Sequence, residues 1–134
     1  REGFKVIETN RKRRGFPLTM TWQSMNEMIK QFRSKFYLFG LTHGDKIIAS
    51  AVCINVSLDI LYVFYWGEED GYERLSPIAF LSKNIVNFAR ENNYKILDVG
   101  TSSVNSEPNL GLIKFKKNIG CLSCNKLYLS KNSY

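Results

Sequence analysis

The feature that most constrains the fold is a pair of apolar runs bracketing a helix signal. Ile60-Leu-Tyr-Val-Phe-Tyr-Trp66 is almost wholly apolar, which predicts a strand covered on both faces. Gly67 closes it and the polar loop Glu68-Glu-Asp-Gly-Tyr-Glu-Arg-Leu75 follows. Ser76-Pro77 then opens a helix, with Ser at the N-cap and Pro at the first helical position. Ile78, Leu81, Ile85, Phe88 and Ala89 mark its buried face, Asn92-Asn93 end it, and Tyr94 to Val99 reads as a second buried strand. A strand, a helix and a strand in one sheet take a right-handed crossover, which makes the strands parallel. Residues 60–66 and 95–99 are therefore expected to pair in parallel. A ligand is expected beyond their carboxyl ends, at the loops 67–75 and 100–109.

The rest of the chain reads around that unit. Residues 4–8 are taken as a short strand. Thr21 caps an amphipathic helix carrying Trp22, Met25, Met28, Ile29 and Phe32 at helical spacing. Phe36 to Thr42 is a strand, His43-Gly44-Asp45-Lys46 a turn, and residues 47–57 the returning strand of a hairpin. Downstream, residues 111–119 form a short helix with Gly120 as its C-cap, and residues 122–131 close the chain as a strand. The expected fold class is α/β (α+β): a mixed, mostly antiparallel sheet with a central parallel strand–helix–strand unit and helices on both faces.

The chain has 134 residues, of which 44% are hydrophobic and 13% aromatic. That is enough for one domain with a real core and excludes a disordered or fibrous chain. No apolar run approaches the roughly 20 residues of a membrane span, and the N-terminus does not resemble a signal peptide. The first residue is Arg1 rather than Met, so residues 1–134 are read as one domain, either alone or as a fragment or one half of a two-domain protein. Three cysteines are too few for a disulfide framework, so the cytoplasm is the expected compartment. Cys121-Leu-Ser-Cys124 has the spacing of half a zinc site, but Cys53 and His43 are the only other cysteine and histidine. In a strand Cys121 and Cys124 would point to opposite faces, so no metal is expected.

Net charge is +7, unevenly spread. Residues 1–35 hold nine Lys/Arg against three Asp/Glu, residues 36–75 two against six, and residues 76–134 eight against three. The basic ends would attract an anionic ligand: a phosphorylated cofactor, a nucleotide-linked substrate or RNA. Arg11-Lys12-Arg13-Arg14 is the densest run and reads either as a solvated surface loop or as an RNA contact. Glu68-Glu69-Asp70 reads as a solvated loop rather than an acid–base pair. No Ser/His/Asp or Cys/His set, dinucleotide glycine motif or P-loop is present. Two places remain. The junction from Tyr65 to Ser76 leads into a helix N-terminus, which binds phosphate through backbone amides without a signature side chain, and Arg74 adds a positive charge there. Lys116, on the last short helix, is placed either to polarise a carbonyl or as part of a solvated basic face.

Three stretches, in order, carry a resemblance. They are Tyr65-Trp66-Gly67 followed by Leu75-Ser76-Pro77, then Leu97-Asp98-Val99-Gly100-Thr101, then Gly111-Leu-Ile-Lys-Phe-Lys-Lys-Asn-Ile-Gly120. Together with the element order they resemble the GNAT acyltransferase fold, and within it the Fem-type and BioF2-like branch, which includes the aminoacyl transferases that build peptidoglycan cross-bridges. The resemblance implies acyl-CoA, or alternatively aminoacyl-tRNA, as donor, and a small-molecule or peptide amine as acceptor. The donor's arm would pair with the strand ending at Trp66 and Gly67, and its phosphates would lie at Arg74 and Ser76. Thr101, Asn109 and Phe115 would line the cleft, with Lys116 and Tyr65 as the catalytic side chains. The resemblance also implies tRNA as a partner and a second domain of the same type or a homodimer. Arg74-Leu-Ser-Pro77 departs from the Arg/Gln-x-x-Gly-x-Gly/Ala loop of the acetyl-CoA enzymes. Ile113 stands where the Fem-type branch often has Tyr, so a tyrosine general acid is missing there; separately, no general base is named. The rival reading is a binding or docking module for an anionic partner without catalysis.

Overall fold

The structure, a computed structural model, describes residues 1–104 and 107–125. It forms two compact units, Arg1–Gly100 and Thr101–Tyr134.

The first unit begins with a helix, not the strand expected at residues 4–8. Helix α1 spans Glu2–Arg13. Its stripe is Phe4, Ile7 and Asn10, all buried at helical spacing. A five-residue reading frame was too short to show that period. The basic run thus becomes the last turn of a helix, where cations favour the negative end of the dipole. Gly15, at φ +79°, follows the C-cap Arg14, and the amides of Gly15 and Phe16 return to the carbonyls of Lys12 and Arg11.

Helix α2 spans Trp22–Gln31. Thr21 is its cap, accepting the Ser24 amide at 3.2 Å. A 3₁₀ turn, Arg33–Lys35, leads into β1 (Phe36–His43), β2 (Lys46–Asn55) and β3 (Ile60–Glu68). Helix α3 spans Pro77–Glu91 and β4 spans Ile96–Asp98. The sheet order is β1-β2-β3-β4, with the first two pairings antiparallel and β3–β4 parallel, as the strand–helix–strand unit predicts.

Helices cover both faces. Side chains alternate along a strand, and close approaches assign each face. On one, Ser50 and Gly67 lie under α1, and Phe4, Ile7 and Met25 pack on Val52. On the other, Tyr37 and Phe39 meet Phe88 of α3, with ring centroids 4.8 Å and 5.2 Å apart. Ala49, Ala51 and Cys53 alternate on that second face, all fully buried. Their small side chains let α3 seat Leu81, Ile85 and Ala89 close to the sheet.

In the second unit the loop after β4 carries a two-residue hairpin not foreseen in the sequence, β5 (Ser103–Val104) with β6 (Glu107–Pro108). Helix α4 spans Leu110–Asn118, capped by Asn109 and followed by Gly120 at φ +93°. Residues 122–125 carry no strand, and the rest of the strand expected at 122–131 lies outside the described residues. Among the described residues no helix is long and apolar enough to cross a membrane.

Candidate functional site

The site is built on β3 and the segment joining it to α3. The parallel pairing of β3 with β4 covers Ile60–Tyr62 against Ile96–Asp98. β4 stops there, whereas β3 continues to Glu68. The stretch Val63–Glu68 is therefore paired through β2 and has no parallel partner from β4. Within it the register slips: Val52 faces Tyr65 while Cys53 faces Val63. Phe64 is thus the extra residue of a β-bulge, which re-aims the strand. Its ring lies 4.2 Å from that of Tyr65 and 6.1 Å from that of Tyr62. Bulges have no sequence signature, and Phe64 was not among the expected site residues.

Tyr65, Trp66 and Gly67 are consecutive but do not share a face. Tyr65 and Gly67 lie on the α1 side, and Tyr65 packs partly buried against the Phe4–Ile7–Met25 cluster. Trp66, opposite Ala51, lies on the α3 side. Gly67 does not end the strand as expected. It is inside β3, where a Cβ would stand 2.8 Å from Cα of Ile7. Its local role is the close approach of α1 to the sheet.

The loop after β3 is acidic but not bare. Arg14 pairs with Glu68 at 3.1 Å, Lys46 with Glu69 at 3.5 Å, and Arg13 with both Asp70 and Glu73. Arg13 and Arg14 of the basic run thus meet three of the four acidic residues, although the two blocks are far apart in the sequence. The Glu73 carboxyl is held below the ordinary carboxylate range by its own and the Gly71 backbone N–H groups, and further by Arg13 and Arg14. Arg74 is exposed in a 3₁₀ turn, and Ser76 is exposed at the start of α3. Ser76 is the N-cap as expected, but at φ 48°, ψ 54°, and its side chain makes no capping bond. The first amides of a helix have no partner inside it. With Pro77 at N1, the first-turn donors left are Ile78 and Ala79, since the Phe80 amide already reaches the Ser76 carbonyl.

Four expected site residues belong to the second unit. Lys116 is 6% exposed, and its Nζ donates to the Thr101 carbonyl at 2.9 Å. Asn109 Oδ1 accepts the Leu112 amide at 3.0 Å, and the Asn109 amide donates to Ser102. Phe115 is half-buried on α4. These bonds tie the hairpin loop to α4 and give Lys116, Thr101 and Asn109 a structural task within their own unit.

An open cleft of about 480 Å³ lies elsewhere on the first unit, between α1 and the β1–β2 hairpin, lined among others by Lys5, His43, Lys46 and Glu69. It takes in none of the expected catalytic or donor-binding residues. Burial pushes the Cys53 thiol up to about 12. No grouping of three or more His, Cys, Asp or Glu side chains suited to a metal occurs among the described residues.

No protein-family model and no curated protein sequence matches the chain. Solved structures do. An aminoglycoside acetyltransferase from an uncultured soil metagenomic sample, in complex with trehalose, superposes with a TM-score of 0.69 at 12% identity, over 99% of this chain and 86% of that one. A possible acetyltransferase from Clostridium difficile 630 gives 0.71 at 13% identity, over 97% and 88%. A GNAT family acetyltransferase from Elizabethkingia anophelis with acetyl-CoA bound gives 0.55 at 18% identity, over 70% and 59%. The fold of this chain is that of the GNAT acetyltransferases.

Proposed function

We propose that the chain is an acyltransferase that takes an acyl group from a CoA thioester and delivers it to a small amine acceptor. The observation that carries this reading is the end of the β3–β4 pairing at Tyr62, where β4 stops, together with the continuation of β3 through a bulge toward the N-terminus of α3. A strand that runs on past the end of its parallel neighbour suits an extended arm bearing amide groups. A helix N-terminus whose cap residue leaves its first amides alone suits phosphates.

The residues present fit such a donor. The backbone of residues 63–68 would hold the arm, and the amides of Ile78 and Ala79 with the exposed Arg74 would hold the phosphates. Bound acyl-CoA would supply an activated carbonyl. The chain would fix the acceptor nitrogen against that carbonyl and exclude water, and such positioning lowers the barrier by removing the entropy of encounter. Backbone N–H groups near the bulge would meet developing negative charge on the carbonyl oxygen. Tyr65, beside the bulge, is the side chain we assign to polar contact with the reacting groups. Lys116 is not needed for this reading. One neighbour of the same fold holds acetyl-CoA, and another is described with trehalose and with sisomicin, which favours a CoA donor and a small-molecule acceptor.

The test is calorimetric titration of the full chain with CoA and acetyl-CoA, followed by soaking CoA into crystals. Saturable binding with the diphosphate at the Ser76 end of α3 is expected. Failure of both ligands to bind, with stabilisation by aminoacyl-tRNA instead, would move the donor to the aminoacyl class. Binding of none would end the transferase reading.

A further inference from the structure

We propose that Arg13 is a positioning residue for the N-terminus of α3: it grips Glu73 from the last turn of α1, and Glu73 in turn fixes the backbone of Ser76. This inference rests on the donor-binding reading above and names the part of the molecule that keeps that site in shape.

The connection is a continuous chain of bonds. Arg13 Nη1 lies 3.4 Å from Glu73 Oε1 and also pairs with Asp70. The same Oε1 accepts the Gly71 amide at 3.2 Å, closing a turn in which Gly71 has φ +83°. At the other end of the residue, the Glu73 carbonyl accepts the Ser76 amide at 2.9 Å. Ser76 sits in the left-handed region, uncommon for a residue with a Cβ, and its own side chain does not cap the helix. Its backbone geometry is therefore held from Glu73 rather than from the hydroxyl. The start of the loop is fastened to the same helix. Arg14 pairs with Glu68, and Asn10 Nδ2 donates to the Glu68 carbonyl at 2.9 Å.

Charge explains why a donor site would need this. Four carboxylates, Glu68, Glu69, Asp70 and Glu73, lie on the approach to the helix start. Left alone they would repel a phosphorylated carrier. Each instead has a basic partner outside the loop: Arg14, Lys46, Arg13 and Arg13 respectively. Neutralisation and positioning make opposite predictions at Glu73. If the loop only contributed charge, removing that carboxylate would tighten anion binding. If Glu73 transmits the grip of Arg13 to Ser76, removing it weakens binding although the site becomes less negative.

The experiment titrates CoA into the full chain at about 50 mM and about 500 mM salt. The variants are Arg13→Gln, Arg13→Lys, Glu73→Gln and the Arg13→Gln/Glu73→Gln double. Lys95→Gln, which breaks the Lys95–Asp59 pair at the opposite end of the sheet, matches the charge change of Arg13→Gln. Arg13→Gln and Glu73→Gln should each weaken CoA about fivefold, the upper scale for exposed pairs. The double should be no worse than the weaker single, as for two links of one chain. Arg13→Lys should recover most of the affinity, and Lys95→Gln should bind like the parent. Glu73→Gln that binds CoA more tightly overturns the inference, as does an Arg13→Gln variant with parental affinity. Either result would leave the CoA reading standing. A parent chain that does not bind CoA removes both. The sign at Glu73 decides the matter even where Arg13→Gln fails to fold.

Discussion

Gly67→Ala inserts one methyl group between β3 and α1, and its cost can be worked from the geometry. The new Cβ would stand 2.8 Å from Cα of Ile7 and 3.0 Å from Cβ of Asn10. The first neighbour is backbone and cannot rotate away, so α1 must lift. Gly67 does not have a positive φ, so Ala adopts the strand conformation without strain and gains about 0.5–1 kcal/mol by stiffening the unfolded chain. Against that, overpacking costs about 1–3 kcal/mol. Lifting α1 also loosens the bond from Asn10 to the Glu68 carbonyl, for about 1 kcal/mol more. The net expectation is a loss of about 1–3 kcal/mol, or a melting temperature lower by about 4–12 °C. Urea titration reads it as a lower midpoint with unchanged slope. Gly3→Ala is the internal comparison. Its Cβ would meet Ser50 Oγ at 2.5 Å and Ser50 Cβ at 3.2 Å; the hydroxyl can turn, giving up its bond to the Phe39 carbonyl, and the Cβ contact asks for a shift of only a few tenths of an ångström. Its cost should be the smaller of the two, about 1 kcal/mol. A Gly67→Ala chain as stable as the parent but deficient in CoA binding would refute this reasoning and return Gly67 to the ligand, as the family resemblance implies.

Two further outcomes are expected. Burial raises the Cys53 thiol from 9.0 to about 12, so the folded chain keeps that proton to higher pH than the unfolded chain does. The sign follows: the contribution to stability is complete below about pH 9 and is lost as pH rises toward 12, at up to about 1.4 kcal/mol per unit. Iodoacetamide on the native chain at about pH 8 should modify the exposed Cys124 and spare Cys53; equal labelling of both contradicts the burial. Asn109→Ala should weaken α4 by about 1 kcal/mol through loss of the Leu112 cap, seen as faster amide exchange along residues 112–116. Unchanged exchange would mean that Asn109 is not serving as the cap.

The strand–helix–strand unit was legible because its signals are local. The apolar run of β3, the Ser76-Pro77 start of α3 and its apolar stripe lie within short windows, and the handedness rule then dictates parallel pairing. Helix α1 was missed because its buried positions, Phe4, Ile7 and Asn10, are diluted by polar residues and the third is itself polar. Asn10 is buried for its bond to a strand carbonyl distant in sequence. The pairing of Arg13 and Arg14 with the acidic loop was hidden for the same reason. The opposite charges were countable, but whether they meet depends on where α1 ends, and a strand at residues 4–8 would have aimed them elsewhere. The bulge at Phe64 follows from a register slip between β2 and β3 that no residue announces.

Ser76 shows how a correct position can carry the wrong mechanism. Serine before proline predicts a side-chain cap, and the helix does start there. Yet proline disfavours the right-handed helical region for the residue before it, and Ser76 takes the left-handed one, with its hydroxyl making no capping bond. An absent cap costs about 0.5–2 kcal/mol, and strain of this kind persists only where the surroundings impose it. Here the Glu73 carbonyl holds the Ser76 amide, and Glu73 is itself tied to Gly71 and Arg13. A capping serine would have engaged one of the amides after Pro77. By failing to cap, Ser76 leaves Ile78 and Ala79 for a ligand, so the local loss in helix stability and the proposed capacity to bind phosphate have the same cause. Ser76→Asp tests that link. A side chain that begins to cap should raise the melting temperature while lowering CoA affinity, and an increase in both would separate the two effects.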